Sequence, residues 1–153
     1  MKDLTHVDAA GAARMVDVGD KEPTTRRARA AGSIRMQRET LDAIRANVIA
    51  KGDVLGVARV AGIMAAKRTA ELVPLCHPLP LSAVDVSLTL DEELPGVRAV
   101  AAVRTEARTG VEMEALVAVT MALVTVYDMV KGVDRGMTIG EIAVVEKTGG
   151  RSG

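Results

Sequence analysis

The side chains with chemical potential stand at a few points of the chain. Asp128 and Lys131 are three apart in the stretch YDMVKG, so on a helix they share a face. Such a pair reads either as an ion pair closing a helix or as an acid/base couple. A lysine partly desolvated beside a carboxylate can be tuned for proton transfer. Cys76 and His77 lie between Pro74, Pro78 and Pro80, which rules out a helix and biases His77 to an extended backbone. Zinc wants three or four ligands and the only other histidine is His6, far off near the start, so the metal reading is weak. A Cys nucleophile with a His base is conceivable, but adjacent residues on an extended segment point to opposite sides. A rigid loop presenting His77 and backbone groups to a ligand remains, beside the plain alternative of a buried thiol and a packed imidazole. The cations Arg26, Lys51, Lys67, Lys131, Lys147 and Arg151 are scattered. Separately solvated they are ordinary surface; converging, they would hold a polyphosphate. The closing KTGGRSG lacks Walker spacing, although amides near Gly149 and Gly150 are suited to phosphate.

These groups need an element to position them, and the chief one runs from Arg108 to Gly132. Thr109 and Glu112 have capping-box spacing, and Gly132 falls where a left-handed C-terminal cap is expected. No charge interrupts Ala115 to Tyr127, and apolar side chains occupy every face. Such a helix must be buried all round, yet the run is shorter than the roughly 20 apolar residues of a bilayer span. In so small a chain, the covering comes from other elements and a neighbouring subunit. Its ionisable groups sit at the tips: Glu112 and Glu114 at one, Asp128 and Lys131 at the other. Glu114 and Asp128 would lie roughly 21 Å apart at about 1.5 Å rise per residue. Either the tips serve different purposes, or two chains pool opposite tips in one pocket.

The 153 residues suit one domain with a real core. Twenty basic and 20 acidic residues balance, so there is no global field to recruit nucleic acid. With one Tyr and no Phe or Trp, there are no stacking platforms for single strands either. Cys76 is the only cysteine, which points to a reducing, cytoplasmic setting. No apolar leader opens the chain, and no segment reads as membrane-spanning. Residues 1–23 read as an arm, mobile or short and packed. The chain then gives a strand from Arg27 to Met36, a helix from Thr40 to Val48, and a Lys51-Gly52-Asp53 loop with an N-cap. A helix rich in small residues spans Asp53 to Leu72. Strands Ser82–Leu90 and Val97–Glu106 turn at Pro95-Gly96, and after the long helix a last strand covers Glu141 to Lys147. That order predicts an α+β sandwich with helices on one face of an antiparallel sheet, most commonly ferredoxin-like.

Longer motifs carry more. KGDVLGVARVAGIMAAKRTAELVPLCHPL (Lys51–Leu79), TGVEMEAL (Thr109–Leu116) and YDMVKG (Tyr127–Gly132) closely resemble the MoaC family of molybdenum cofactor biosynthesis. LTHVDAAGAARMVDVGDK (Leu4–Lys21) and EKTGGRSG resemble the same family's ends. The resemblance covers essentially the whole chain. It implies a ferredoxin-like subunit in a homohexamer, a trimer of dimers with sites between subunits. The implied lyase reaction converts cyclic dihydro-GTP to a cyclic pyranopterin monophosphate and releases pyrophosphate. By position, Asp128, Lys131 and Lys51 correspond to catalytic residues. Leu75, Cys76, His77, Met113 and Glu114 correspond to substrate-binding ones, with Arg26, Lys67 and Lys147 as cations near substrate. No resident cofactor or metal is implied, although Mg can ride on the triphosphate. Three positions depart from the usual pattern: Arg108 where Lys is common, Val130 where Cys is common, and KTGGRSG where the family tail usually reads KSGGKSG.

Overall fold

Alternation of small apolar and polar residues sets the sheet. The computed structural model describes residues 4–150. Its elements are β1 (Thr24–Arg35), α1 (Arg38–Arg45), α2 (Val54–Lys67), α3 (Thr69–Leu72), β2 (Leu81–Asp91), β3 (Gly96–Ala107), α4 (Glu112–Val130) and β4 (Thr138–Thr148). The four strands form one antiparallel sheet in the order β2-β3-β1-β4. Two β–α–β units are thereby interleaved: β3 lies between β1 and β2, and β1 between β3 and β4. In the central strands every second residue is buried, including Ala28, Ala30 and Ile34 in β1 and Val97, Ala99, Ala101 and Val103 in β3. Arg27, Arg29, Arg98 and Arg104 take the alternate, exposed positions. The expected α+β class, antiparallel sheet and one-sided helical layer are all present.

The inner face of the sheet is floored largely with alanine, which lets helices approach closely. α4 lies on β1 and β3 and packs along α2. Ala115, Ala118, Val119, Ala122, Leu123, Val126 and Val130 form its buried stripe, the 3–4 spacing of one helical face. At Gly62 of α2 an added Cβ would sit 2.9 Å from the Ala118 carbonyl oxygen and 3.3 Å from Ala122 Cβ. The small residues of α2 thus do allow a second helix in close.

Several local expectations change. The long helix starts at Glu112, and its N-cap Val111 makes no side-chain capping bond. The Thr109–Glu112 box is not formed, because the Glu112 carboxylate goes to Lys147, 2.7 Å away. Nor does Gly132 take a left-handed cap: Lys131 ends the helix in the right-handed region. The amides of Val133 and Asp134 close the turn on the Val130 carbonyl. The helix is also not buried all round within one protomer. Val124 is 42% exposed, and Val117 and Met121 are only half-buried. By length and apolarity alone α4 would pass for a membrane span; here it is a core helix seated on a sheet. The expected helix Asp53–Leu72 breaks at Arg68, where the Thr69 hydroxyl bonds back to the Ala66 carbonyl at 2.9 Å. β4 is longer than expected and irregular, with register shifts against β1 and Glu141 at φ 56.

One long-range contact ties the helical layer together. The N-cap of α1, Gln37, makes no side-chain capping bond. Asp134, beyond α4, supplies it: its carboxylate accepts from the Gln37 amide at 3.0 Å and the Thr40 hydroxyl at 2.9 Å. Burial alone would raise the Asp134 pKa, but these donors and the Gly136 amide more than offset it and hold it low.

The tight α2–α4 crossing generates a test. Gly62→Val pushes two methyl groups toward the Ala118 carbonyl and is expected to cost about 1–3 kcal/mol of stability. Urea denaturation checks this, and an unchanged midpoint would contradict the crossing.

Candidate functional site

The candidate side chains fall into two groups, one at each end of α4. At the C-terminal end, Asp128 stands between two lysines. Its Oδ1 is 3.0 Å from Lys131 Nζ, and its Oδ2 is 3.2 Å from Lys51 Nζ. Lys51 Nζ also donates to the Asp128 backbone carbonyl at 3.1 Å. Helical spacing supplies the Lys131 contact, whereas Lys51 arrives on the loop after α1. That loop is shaped by the buried Ile49, by Gly52 at φ 102 and by Asp53, whose side chain caps α2 through the Gly56 amide. The Lys131 hydrogen bond first, then Lys51, holds the Asp128 carboxyl below its usual pKa. All three side chains stay about half exposed, so the cluster faces solvent and is free to meet a ligand.

At the N-terminal end the environment is more enclosed. Glu112 pairs with Lys147 at 2.7 Å. Burial works to raise the Glu112 pKa, but Lys147 and Arg26 overcome it and keep the group low. Arg26 is only 5% exposed, and its Nε donates to the Ala107 carbonyl at 2.9 Å. The tail wraps onto it: Gly150 has φ 70, and a Cβ there would overlap the Arg26 guanidinium. Glu114 is 2% exposed and its Oε1 has no hydrogen-bond partner. Burial pushes its pKa up. Its other oxygen lies 3.9 Å from the Cys76 sulfur. Burial first, then the Glu114 carboxylate, lifts the Cys76 thiol to about 11, so at neutral pH it is no thiolate nucleophile.

A cavity of about 460 Å³ opens beside this end, with Leu75, Cys76, His77, Glu112 and Met113 in its wall. Lys67 shares a smaller cavity with Glu114. The eight candidate binding residues, Arg26, Lys67, Leu75, Cys76, His77, Met113, Glu114 and Lys147, thus surround one end of the helix. Lys51, Asp128 and Lys131 surround the other, about 21 Å away along the axis at 1.5 Å per residue. Arg151 lies outside the described residues. Among the described residues no group of three or more His, Cys, Asp or Glu is placed to hold a metal ion.

Two contributors escape sequence reasoning. Asp134 caps α1 from far along the chain, with no local signature. His6 reads as a remote tail residue, yet it lines the same cavity as Cys76 and His77. The only local hint was the Asp8–Gly11 turn that folds the arm back on itself.

Comparison with known proteins decides the family. A profile of the MoaC family matches residues 15–150. The chain belongs to the MoaC family. It is 62% identical over its whole length to a protein of Methylobacterium sp. (strain 4-46) named cyclic pyranopterin monophosphate synthase, covering 96% of that relative. A Methylobacterium nodulans protein of the same name is 61% identical over the whole chain, with 96% of that relative covered. One from Brucella ovis is 59% identical, with 98% of this chain and 91% of the relative covered. In this MoaC-family chain the departure at Val130 is accommodated as a buried apolar side chain at the C-terminal end of α4, while Arg108 is exposed.

The buried Glu114 sets a pH test on the unliganded protein. A carboxyl whose folded pKa is raised binds its proton more tightly folded than unfolded. Stability is therefore greatest below the unfolded pKa, about 4.3, and falls as pH rises through the folded value. Glu114→Gln is expected to remove that fall and raise the melting temperature at pH 7. Thermal melts of both proteins across pH 4 to 8 check it; parallel curves would show that Glu114 is not buried as a strained carboxylate.

Proposed function

We propose that this chain is a cyclic pyranopterin monophosphate synthase acting in molybdenum cofactor biosynthesis. It converts cyclic dihydro-GTP to cyclic pyranopterin monophosphate and releases pyrophosphate, a lyase reaction run by acid/base catalysis. The observation that carries the reading is Asp128 held between Lys131 and Lys51. A site that only binds a polyphosphate needs cations; a carboxylate set among them is useful for moving protons. Ring opening and reclosure of the guanine-derived system require proton donors and acceptors in turn. Asp128 begins as a carboxylate, so the first proton to be given comes from an ammonium partner. Closure of the cyclic phosphate expels pyrophosphate, whose developing charge needs cations positioned beforehand. Arg26, Lys147 and Lys67 are the candidates for that task. Leu75, Cys76, His77 and Met113 form the wall that holds the remainder of the substrate, with Glu114 buried behind Cys76. No redox step is involved, so no resident cofactor is needed, and the triphosphate can carry a divalent ion such as Mg with it.

The site is completed between subunits. The strand order and interleaved β–α–β units are those of a ferredoxin-like subunit, and the assembly we propose is a homohexamer built as a trimer of dimers. Two features support pooling of α4 ends. The catalytic trio and the binding wall lie too far apart on one copy for a single small molecule. The outer face of the helical layer also leaves Val57, Val60, Met64 and Val124 exposed, which favours a second protein surface there. The zero net charge and a lone cysteine fit a cytoplasmic enzyme without nucleic-acid or membrane partners.

Lys131→Ala and Asp128→Asn are each expected to abolish pyrophosphate release from cyclic dihydro-GTP while leaving the circular dichroism melt in place. Binding of the nucleotide by the native protein with no pyrophosphate release at all would instead mark a non-catalytic module. Inactive Glu114→Ala and Asp128→Asn subunits, dissociated and reassembled together, are expected to regain activity. Sites that take one end from each of two chains should reach roughly a quarter of native turnover. No recovery in verified mixed assemblies would sink the shared site.

A further inference from the structure

We propose that His6, on the N-terminal arm, is a specificity residue that contacts the substrate's heterocycle. The inference rests on the functional reading above and deepens it. The arm is locally organised: Val7 bridges to Ala13, and Asp8 Oδ1 accepts from the amides of Ala10 and Ala12, each at 2.9 Å. This turn places His6 in the wall of the 460 Å³ cavity with Cys76, His77, Glu112 and Met113.

The hydrogen bonds of the two imidazoles fix where their protons are. His6 Nδ1 lies 3.3 Å from the Arg14 carbonyl oxygen, and His77 Nε2 lies 2.6 Å from the Val16 carbonyl oxygen. A carbonyl only accepts, so each of those ring nitrogens carries the hydrogen. In the neutral rings, Nε2 of His6 and Nδ1 of His77 are left as acceptors, with no protein partner among the described residues. The arm therefore engages the N–H of both rings and leaves one bare nitrogen on each at a single cavity. The neighbouring polar groups do other things: Glu112 is engaged by Lys147, and the Cys76 thiol leans on Glu114. Two bare acceptors suit a ligand edge rich in N–H donors. A guanine-derived ring has such an edge, with a ring N–H beside an exocyclic amine. His6 adds a second acceptor beside that of His77, and reads that amine.

The test uses the full chain and three variants at an exposed arm position outside the core. His6→Ala is expected to raise KM for cyclic dihydro-GTP roughly fivefold, the worth of one hydrogen bond, with kcat and melting temperature little changed. His6→Gln, which carries an amide oxygen near the position of Nε2, should recover most of the loss; His6→Phe, a ring without an acceptor, should not. Calorimetric titration with GTP and with inosine triphosphate, which lacks the exocyclic amine, gives a readout independent of turnover. The native protein should prefer GTP, and His6→Ala should bind the two alike. An unchanged KM, full function in His6→Phe, or a native protein blind to the exocyclic amine overturns the role of His6. Equal weakening of both nucleotides in His6→Ala overturns it too, since His6 would then merely prop the cavity. If the native chain releases no pyrophosphate, the enzymatic reading fails by itself, and the titration still decides the arm.

Discussion

A helix pressed against an alanine floor can carry charge only where it leaves that floor. Ala28, Ala30, Ala99 and Ala101 are essentially inaccessible under α4, and Ala115, Ala118 and Ala122 meet them from above. At that separation there is no room for long polar side chains and no water to solvate them, and a buried ion costs several kcal/mol. The ionisable residues of α4 are consequently confined to its two tips. Glu114 strains this rule: it lies in the first turn yet is buried, with an oxygen that no group among the described residues satisfies. A protein rarely keeps such a group without a use for it, which makes the N-terminal tip the more demanding half of the site.

The same constraint explains why the candidate site residues fall into two groups. Each tip gathers partners from distant segments: Lys51 from the loop after α1 at one, Lys147 from β4 and His77 from the proline-bracketed loop at the other. The sheet sets these meetings. Antiparallel pairing of β1 with β4 brings Lys147 opposite Ala28, two residues from Arg26, so that one end of the sheet delivers two cations to Glu112. At the opposite end, Asp134 joins the turn after α4 to the start of α1. That links the segment bearing Lys131 to the helix that precedes Lys51. An outward face of Val57, Val60 and Met64 then leaves the helical layer with apolar surface that one chain does not cover.

Much of this was legible from residue order. The charge-free run Ala115–Tyr127 and the strands Ser82–Leu90 and Val97–Glu106 on either side of Pro95-Gly96 are local patterns, and they gave helix, strand and fold class. The i, i+3 spacing of Asp128 and Lys131 predicted their contact directly. Local reading failed where a distant group competed for the same atoms. The capping box of Thr109 and Glu112 lost to Lys147, whose ammonium offers the carboxylate a charge-assisted bond. The expected cap at Gly132 gave way to a turn held by Val130, with Asp134 satisfied across the fold.

By itself, the sequence determined which residue types could carry chemistry, which segments are helix and strand, and which family the chain resembles, because propensity, periodicity and motif act between near neighbours. Only the tertiary structure decided how the eleven candidate residues divide between the two tips of α4 and which cation meets which carboxylate. It alone brought the arm's imidazole to the cavity beside Cys76 and His77. Those outcomes depend on strand register and on competition for a limited number of buried hydrogen-bonding atoms, and neither is encoded in any short stretch of chain.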